Sequence, residues 1–452
     1  MRRRSDGAVA VPERVERADA GGSAVSGATG GERGGSEAAA DDATGGQQFG
    51  RSGDDQSSGD DRHPDDDRYT VRPFEPADER AFRSLFEAVL GEPASEEWFE
   101  WKYRANPYVD HVPIFLAETD GEVVGARAFF SLELRADGSE YVAFQPCDTM
   151  VHPDHRRRGL FTRMTEAAID RYADDVDCFF NFPNEYSLAG NLKLGWEVVG
   201  ERETYYRVQN PATWLSDALP GDSSAVGATV GSAAWFAGRA AARSYLSVRD
   251  RLAPDASGVA PRWHDGVPAE LLASLAGKRT PREFRVPRDE RFYRWRFENP
   301  KWEYETVVAR DGATPDRGNR DETPAGKRGD PTAAIVVGTR TYPDGTSVAQ
   351  FADVVPLVGG ADRERALSAL VAAAVRRHAD ADLLLAPGET VPESLLSAYG
   401  FHGDGRPPLS WVASPTVQVA RPVADDGEWT LADRSLAEAE NWRLALCEQD
   451  SG

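Results

Sequence analysis

The sequence predicts an α/β protein in which strands and helices alternate to one plan, used twice behind a disordered tail. Three observations predict it. From Tyr69 onward, apolar residues recur at period two in some segments and at helical spacing in others. An aromatic helix ending in Asn-Pro occurs twice, as Trp98–Pro107 and as Phe292–Pro300, with Trp101 and Trp295 standing 194 residues apart. Residues 1–67 are rich in Gly, Ala, Ser and Asp, with Phe49 almost the only large apolar side chain. Such a segment cannot bury enough surface to offset the entropy of ordering, and its acidic end, Asp60 to Asp67, reads as a solvated tether.

Order begins with Tyr69-Thr70-Val71-Arg72-Pro73-Phe74, a short strand. Pro76 and Ala77 lead a helix through Phe82, Leu85, Phe86 and Leu90, which Gly91 stops. Ser95 caps a second helix to Arg104, broken by Asn106-Pro107. Asp120-Gly121 joins the strands predicted at Val112–Thr119 and Glu122–Leu134 as a hairpin. In the next strand Tyr141, Ala143, Cys147, Thr149 and Val151 fall at multiples of two until Pro153 ends it. Leu160, Met164, Ala167 and Ala168 then repeat at helical spacing. Cys178–Phe182 is an apolar strand, and a helix follows from Tyr186 to Leu194, closed by Gly195. Trp196–Val199 and Thr204–Val208 are expected to complete the sheet.

Residues 211–258 read as a linker, with a basic amphipathic helix over Ala233–Leu252 that either lies on an anionic membrane or packs one domain on the other. From Val259 the plan repeats. Strands are predicted at Glu303–Ala309, Ala333–Tyr342, Val348–Val355 and Asp382–Ala386, with helices over Asp362–His378 and up to Ala398. A disordered insertion is expected from Asp311 to Asp330. The tail, with Trp429, Leu431, Leu436 and Trp442, is expected to add a strand or short helix to this second copy. The domains are therefore a tail at 1–67, a first domain at 68–210, the linker, and a second domain with its extension at 259–452.

Acidic residues number 75 against 52 basic ones, a formal charge of −23, and only Lys102, Lys193, Lys278, Lys301 and Lys327 are lysines. Nucleic acid is disfavoured as the main partner, because phosphate binding needs clustered positive charge. The balance suits a cationic substrate or a salty cytoplasm, and it resembles halophile proteins. Cys147, Cys178 and Cys447 have no metal-type spacing, and their odd number gives no disulfide framework, so a reducing cytoplasm is expected and no metal. Met1-Arg2-Arg3-Arg4 is followed by no apolar core of the kind a leader needs, and no run of about 18 apolar residues spans a membrane.

The chemistry concentrates at Arg156-Arg157-Arg158-Gly159, between a strand and a helix. Such a bend aims several unpaired N–H groups and a positive dipole end at one spot, which favours a phosphate. Together with Leu160, Phe161 and the preceding Val151-His152-Pro153, it resembles the pyrophosphate loop of the GNAT N-acetyltransferase superfamily, Gln/Arg-x-x-Gly-x-Gly/Ala. Phe161 departs from that pattern, replacing a small residue. Asn191-Leu192-Lys193-Leu194-Gly195-Trp196 resembles the family's Tyr-x-Lys-Leu-Gly-Phe ending of its last helix. The resemblance covers residues 69–210 and implies a central mixed sheet flanked by helices. In the second copy the same place reads Pro356-Leu357-Val358-Gly359-Gly360-Ala361, with no arginine, and Asp362 and Glu364 would repel a pyrophosphate. The tandem is similar to that of enhanced-intracellular-survival-type acetyltransferases, which pair an active and a degenerate GNAT domain. The stretch after Ala420 is too short for their further sterol-carrier-like domain.

The resemblance implies acetyl-CoA as cosubstrate and direct transfer of its acetyl group to a primary amine, on a small molecule or a side chain. It places Thr149, Met150 and Val151 along the pantetheine arm and Arg156, Arg157, Arg158, Gly159, Leu160, Phe161 and Thr162 around the phosphates. The strand starting at Cys178 would splay from the opening strand and leave a slot for that arm, bordered by Asn184 and Asn191. The family's acid is a tyrosine where this chain has Asn191, which does not readily give up a proton. Tyr186 is the candidate acid, although five helical residues separate the two by about 140°. Its other reading is a packing tyrosine. Glu185 is the candidate base through a water, or else a carboxylate at a helix start. His152 and His155 read as surface or phosphate neighbours, and Cys147 and Cys178 as small core fillers. Two other functions stay open: a module that binds acyl-CoA or a partner without transfer, and aminoacyl transfer of the FemAB type. The acceptor could be an aminoglycoside, a polyamine, a lysine or an amino sugar, and homo-oligomers are compatible with the sequence.

Overall fold

The computed structural model describes residues 68–211, 225–254, 258–311, 329–423 and 427–450. The tail expected at 1–67 and most of the insertion expected at 311–330 lie outside them.

The first half runs β1 (Thr70–Pro73), α1 (Glu79–Leu90), α2 (Glu96–Phe99), β2 (Ile114–Thr119), β3 (Glu122–Ala136) and β4 (Ser139–Val151). It continues with α3 (Leu160–Tyr172), β5 (Cys178–Asn181), α4 (Glu185–Lys193), β6 (Glu197–Arg202) and β7 (Thr204–Val208). Ser95 caps α2, its Oγ accepting from the Trp98 N–H at 3.1 Å, and a π turn carries the helix on through Arg104. After α5 (Ala225–Leu252) the second half repeats the order. It runs β8 (Val259–Asp265), α6 (Ala269–Gly277), α7 (Glu290–Arg296), β9 (Glu303–Asp311), β10 (Pro331–Thr341) and β11 (Ser347–Val355). Then come α8 (Ala361–Arg377), β12 (Leu383–Pro387), α9 (Glu393–Ala398), β13 (His402–Gly403) and β14 (Thr416–Pro422).

Two seven-stranded mixed sheets result, ordered β1-β2-β3-β4-β5-β14-β6 and β8-β9-β10-β11-β12-β7-β13. The orders match position for position, and β7 and β14 have traded places. Thr204–Val208 therefore does not complete the first sheet, as the sequence led us to expect. It pairs with β12, Tyr206 opposite Leu385, while β14 fills the slot between β5 and β6. The reason is local. Glu203 alone separates β6 from β7, and the shortest hairpin needs a two-residue loop, so the chain runs on into the other sheet. The tail beyond β14 packs on both halves: Gln145 Nε2 donates to the Glu448 carbonyl at 2.9 Å and Arg296 Nε to the Cys447 carbonyl at 2.7 Å.

The sheets share one inner core. Their facing sides, with Phe130, Leu132, Val336 and Val355, enclose Phe82 and Phe86 of α1, Trp98 of α2, Leu272 of α6, Phe292 of α7 and Trp442. The outer face of the first sheet is covered by Leu160, Met164, Ala168 and Tyr172 of α3, and that of the second by Leu367, Leu370 and Val371 of α8. At the centre the duplicated helices meet across a local two-fold relation. Trp101 Nε1 donates to the Trp295 carbonyl at 2.8 Å, and Trp295 Nε1 donates to the Trp101 carbonyl at 2.9 Å. The last turns of α5 dock on the second sheet, with Leu246 buried and Asp250 accepting two 2.8 Å bonds from Arg207. That favours the packing role for the linker helix. No described helix is long and apolar enough to cross a membrane.

Candidate functional site

β4 and β5 are parallel neighbours for two residue pairs only, Ala143 with Cys178 and Phe144 with Phe179. Beyond them the strands part, and β5 turns to β14, so the end of β4 faces a gap bordered by α4. This is the slot expected from the sequence. At its head, Val151 leads through a turn at Pro153–His155 into the arginine bend. Arg157 and Gly159 have positive φ, 62° and 71°, which reverses the chain tightly enough for α3 to start at Leu160. No side chain caps α3, so the N–H groups of Leu160, Phe161 and Thr162 face outward with the positive end of the helix. Among the described residues, a Cβ on Gly159 would meet no atom within 4 Å, so the bend is open on that side. Arg156 folds back, its Nε donating to the Val151 carbonyl at 3.1 Å. The bend is fastened to β1: His155 Nδ1 and Tyr69 Oη lie 3.0 Å apart, and Arg163 donates to the Tyr69 carbonyl at 2.7 Å.

The end of β4 carries a bulge. Ala126 pairs with Met150 but Ala128 with Cys147, which leaves Asp148 and Thr149 opposite Arg127. Asp148 has φ 40°, an uncommon conformation for a non-glycine residue. The bulge sends these neighbours to opposite faces of the sheet. On the inner face Asp148 Oδ2 accepts from Lys102 Nζ at 2.6 Å and from Tyr103 Oη, and Lys102 also reaches Asp450 at 2.8 Å. Burial alone would lower the Lys102 pKa, but the two carboxylates outweigh it and hold the ammonium well above its usual value. Cys147, Asp148 and Asp450 lie close enough to share a metal ion. The Lys102 ammonium already supplies the positive charge there, so the set does not fit one.

On the α4 face Thr149 Oγ1 accepts from Arg127 Nη1 at 2.5 Å, and Asn191 Oδ1 accepts from Arg127 Nη2 at 3.1 Å. Arg127 is 1% exposed, and burial lowers its pKa to about 10. The Phe161 ring lies under its guanidinium, 4.7 Å from centroid to carbon, and leans on Gly190, where a Cβ would sit 2.6 Å from the ring. Phe161 is thus accommodated by a glycine on the neighbouring helix. Arg127 and Gly190 were missed from the sequence. The signal was an arginine inside an otherwise apolar run, Val123-Val124-Gly125-Ala126-Arg127-Ala128-Phe129-Phe130.

The structure thus brings Thr149, Phe161 and Asn191 together around Arg127, with Met150 buried and Val151 leading into the bend. Asn184 caps α4, its Oδ1 accepting from the Ser187 N–H at 3.0 Å. Glu185 and Tyr186 are exposed on its first turn, Tyr186 at 84%, and neither is drawn into the Arg127 cluster. A groove lined by Asp289, Glu290, Trp295 and Glu298 lies elsewhere. It contains none of the expected site residues, and the strand gap is the better candidate because converging donors border it.

Residues 70–199 match the model of the acetyltransferase (GNAT) domain. No curated protein matches the chain. Among solved structures it is similar to a GCN5-related N-acetyltransferase from Anabaena variabilis, at 11% identity over 79% of this chain and 73% of that one, TM-score 0.47. A GCN5-related N-acetyltransferase from Kribbella flavida is similar at 14% identity over 78% and 71%, TM-score 0.47. Eis1 from Mycobacterium abscessus is similar at 15% over 78% and 73%, TM-score 0.43. The chain therefore carries a GNAT acetyltransferase domain in its first half, followed by a second sheet of the same strand order.

Proposed function

We propose that the protein is an N-acyltransferase that takes an acetyl group from acetyl-CoA and passes it to a primary amine. The observation that carries this reading is the arginine bend: an uncapped helix start with a left-handed glycine and open space before it, at the head of a strand gap. Acetyl-CoA would supply the activated thioester. Arg157, Arg158 and the N–H groups of Leu160 to Thr162 would hold its diphosphate, where charge-assisted donors bind best. The end of β4 from Thr149 to Val151, bare of a strand partner on that side, offers backbone groups to a polar arm in the gap. The buried donors and acceptors left unpaired there, on Arg127, Asn191 and Asn181, fit a ligand with amides of its own. Glu185 and Tyr186, exposed on the first turn of α4, would meet an acceptor that approaches the gap.

The double variant Arg157→Glu/Arg158→Glu tests this reading. Acetyl-CoA affinity should fall on the order of 100-fold, and thiol release with an amine panel should fall with it. Unchanged affinity and turnover would end the proposal. Asn191 in place of a tyrosine favours a second reading, a module that binds acyl-CoA without transfer. Any acceptor-dependent release of thiol removes it.

A further inference from the structure

Among the described residues, Arg127 is a buried cation with no carboxylate to face and no partner for its Nε. Taking a guanidinium out of water is costly unless its charge is met. Arg288 and Arg207, equally deep, each meet a carboxylate: Asp353 and Glu448 for the first, Asp250 for the second. The hydrogen bonds of Arg127 go to a hydroxyl and an amide oxygen, and its Nε has no acceptor. Asn191 Nδ2, next to it, also donates to nothing, although Asn191 is fully buried. A positive charge and two idle donors thus converge beside Thr149, where β4 has parted from β5. The inventory of proton donors there is short. Asn191 cannot give up a proton at neutral pH. Tyr103 and Cys147 lie on the opposite face of β4 with the Lys102 cluster, and burial raises both their pKa values well above the ordinary range.

We propose that the Arg127 guanidinium, held in place by Thr149 and Asn191, stabilises the thiolate that departs during acyl transfer, so that charge stabilisation replaces protonation by an acid. The inference rests on the coenzyme A reading given above. Transfer forms a C–N bond from the lone pair of the acceptor amine and breaks the C–S bond, whose electron pair leaves with sulfur. The proton lost by the acceptor nitrogen goes to solvent water, and no proton is needed on sulfur until product leaves. A fixed positive charge in a site shielded from water is well suited to developing negative charge, because it needs no reorganisation as the bond breaks. At a pKa of about 10 the guanidinium remains cationic throughout the neutral range, and an ordinary thiol near 8.5 is the weaker base. Thr149 and Asn191 are positioning residues in this arrangement, and Phe161 closes the cluster from the side of α3.

The test titrates the thiol of coenzyme A bound to the full chain, followed by the ultraviolet absorbance of the thiolate. In the wild type the bound thiol should ionise at least about one pH unit below the free one. Arg127→Gln, which can still bond to Thr149 and Asn191, should return it to the free value or above. Arg127→Met, close in volume and apolar, removes the buried charge altogether, and its melting temperature beside the wild type separates a folding defect from a catalytic one. In both variants turnover should fall on the order of 100-fold while acetyl-CoA affinity changes less than about threefold. A bound thiol that titrates like the free one in the wild type, or Arg127→Gln turnover within about twofold of normal, overturns the inference. The two readings fail separately. A lowered thiol pKa without acceptor-dependent release sinks transfer but keeps the thiolate site. Transfer with an ordinary thiol pKa sinks the role of Arg127 alone. If no coenzyme A binds, both fall.

Discussion

The bends that open α3 and α8 occupy the same position in two sheets of identical strand order, and they differ in where their arginine goes. Before α3, Gly159 faces open space and Arg156 and Arg157 are exposed. Before α8, a Cβ on Gly359 would lie 2.6 Å from Arg363, whose stem fills the concavity. The Arg363 guanidinium turns inward, donating to the Pro356 carbonyl at 2.5 Å and the Thr390 carbonyl at 2.6 Å, and burial lowers its pKa to about 10. Asp362 and Glu364 then place negative charge on the first turn. Both helices have the same dipole. What separates the bends is whether the space in front of the helix is left open and cationic or filled by the chain itself.

The first way to break this comparison is to separate the halves. Because β7 and β14 are exchanged, a fragment of residues 68–211 lacks the strand between β5 and β6 and leaves β7 unpaired. It should show no cooperative unfolding transition, whereas the full chain should; a stable fragment would mean that β7 can fold back. Next come the two glycines. Gly159→Ala forces a side chain into φ 71°, which should cost about 1 kcal/mol of stability and roughly tenfold in acetyl-CoA affinity. Gly359→Ala must displace Arg363, so stability should fall while affinity stays the same in a binding titration. A third comparison uses the local two-fold relation. Trp101→Phe and Trp295→Phe each remove one buried hydrogen bond and should each cost about 1 kcal/mol in denaturant unfolding, with a non-additive double variant because the rings stack.

A separate prediction concerns pH at the exchanged strand. Asp404 accepts from the Thr204 N–H, yet burial raises its pKa from 3.8 to about 7. The folded state then holds a proton that the unfolded state releases, so stability is lost as pH rises from about 4 to about 7. Asp404→Asn should flatten that part of the melting-temperature profile, and an unchanged profile would show that the group does not titrate there.

Much of this was legible in the residues. The arginine bend, the hairpin at Asp120-Gly121, the duplicated tryptophan helix and the loss of arginines in the second bend all depend on local pattern, and each lies where expected. The strand exchange was hidden because period-two apolar residues mark Thr204–Val208 as a strand without naming its partner. The one-residue link at Glu203 was the readable clue. Arg127 was hidden for a related reason: its meaning depends on Thr149, Phe161 and Asn191, which come from three other elements and meet only after folding. The Lys102–Asp148–Asp450 cluster joins positions far apart in the chain and carried no motif.

One calorimetric titration bears most directly on the claim that only the first bend takes a diphosphate. Coenzyme A added to the full chain should bind with a stoichiometry of one, and Arg157→Glu/Arg158→Glu should weaken binding on the order of 100-fold without changing the unfolding transition. Two sites per chain, or one site of unchanged affinity in the double variant, would contradict it.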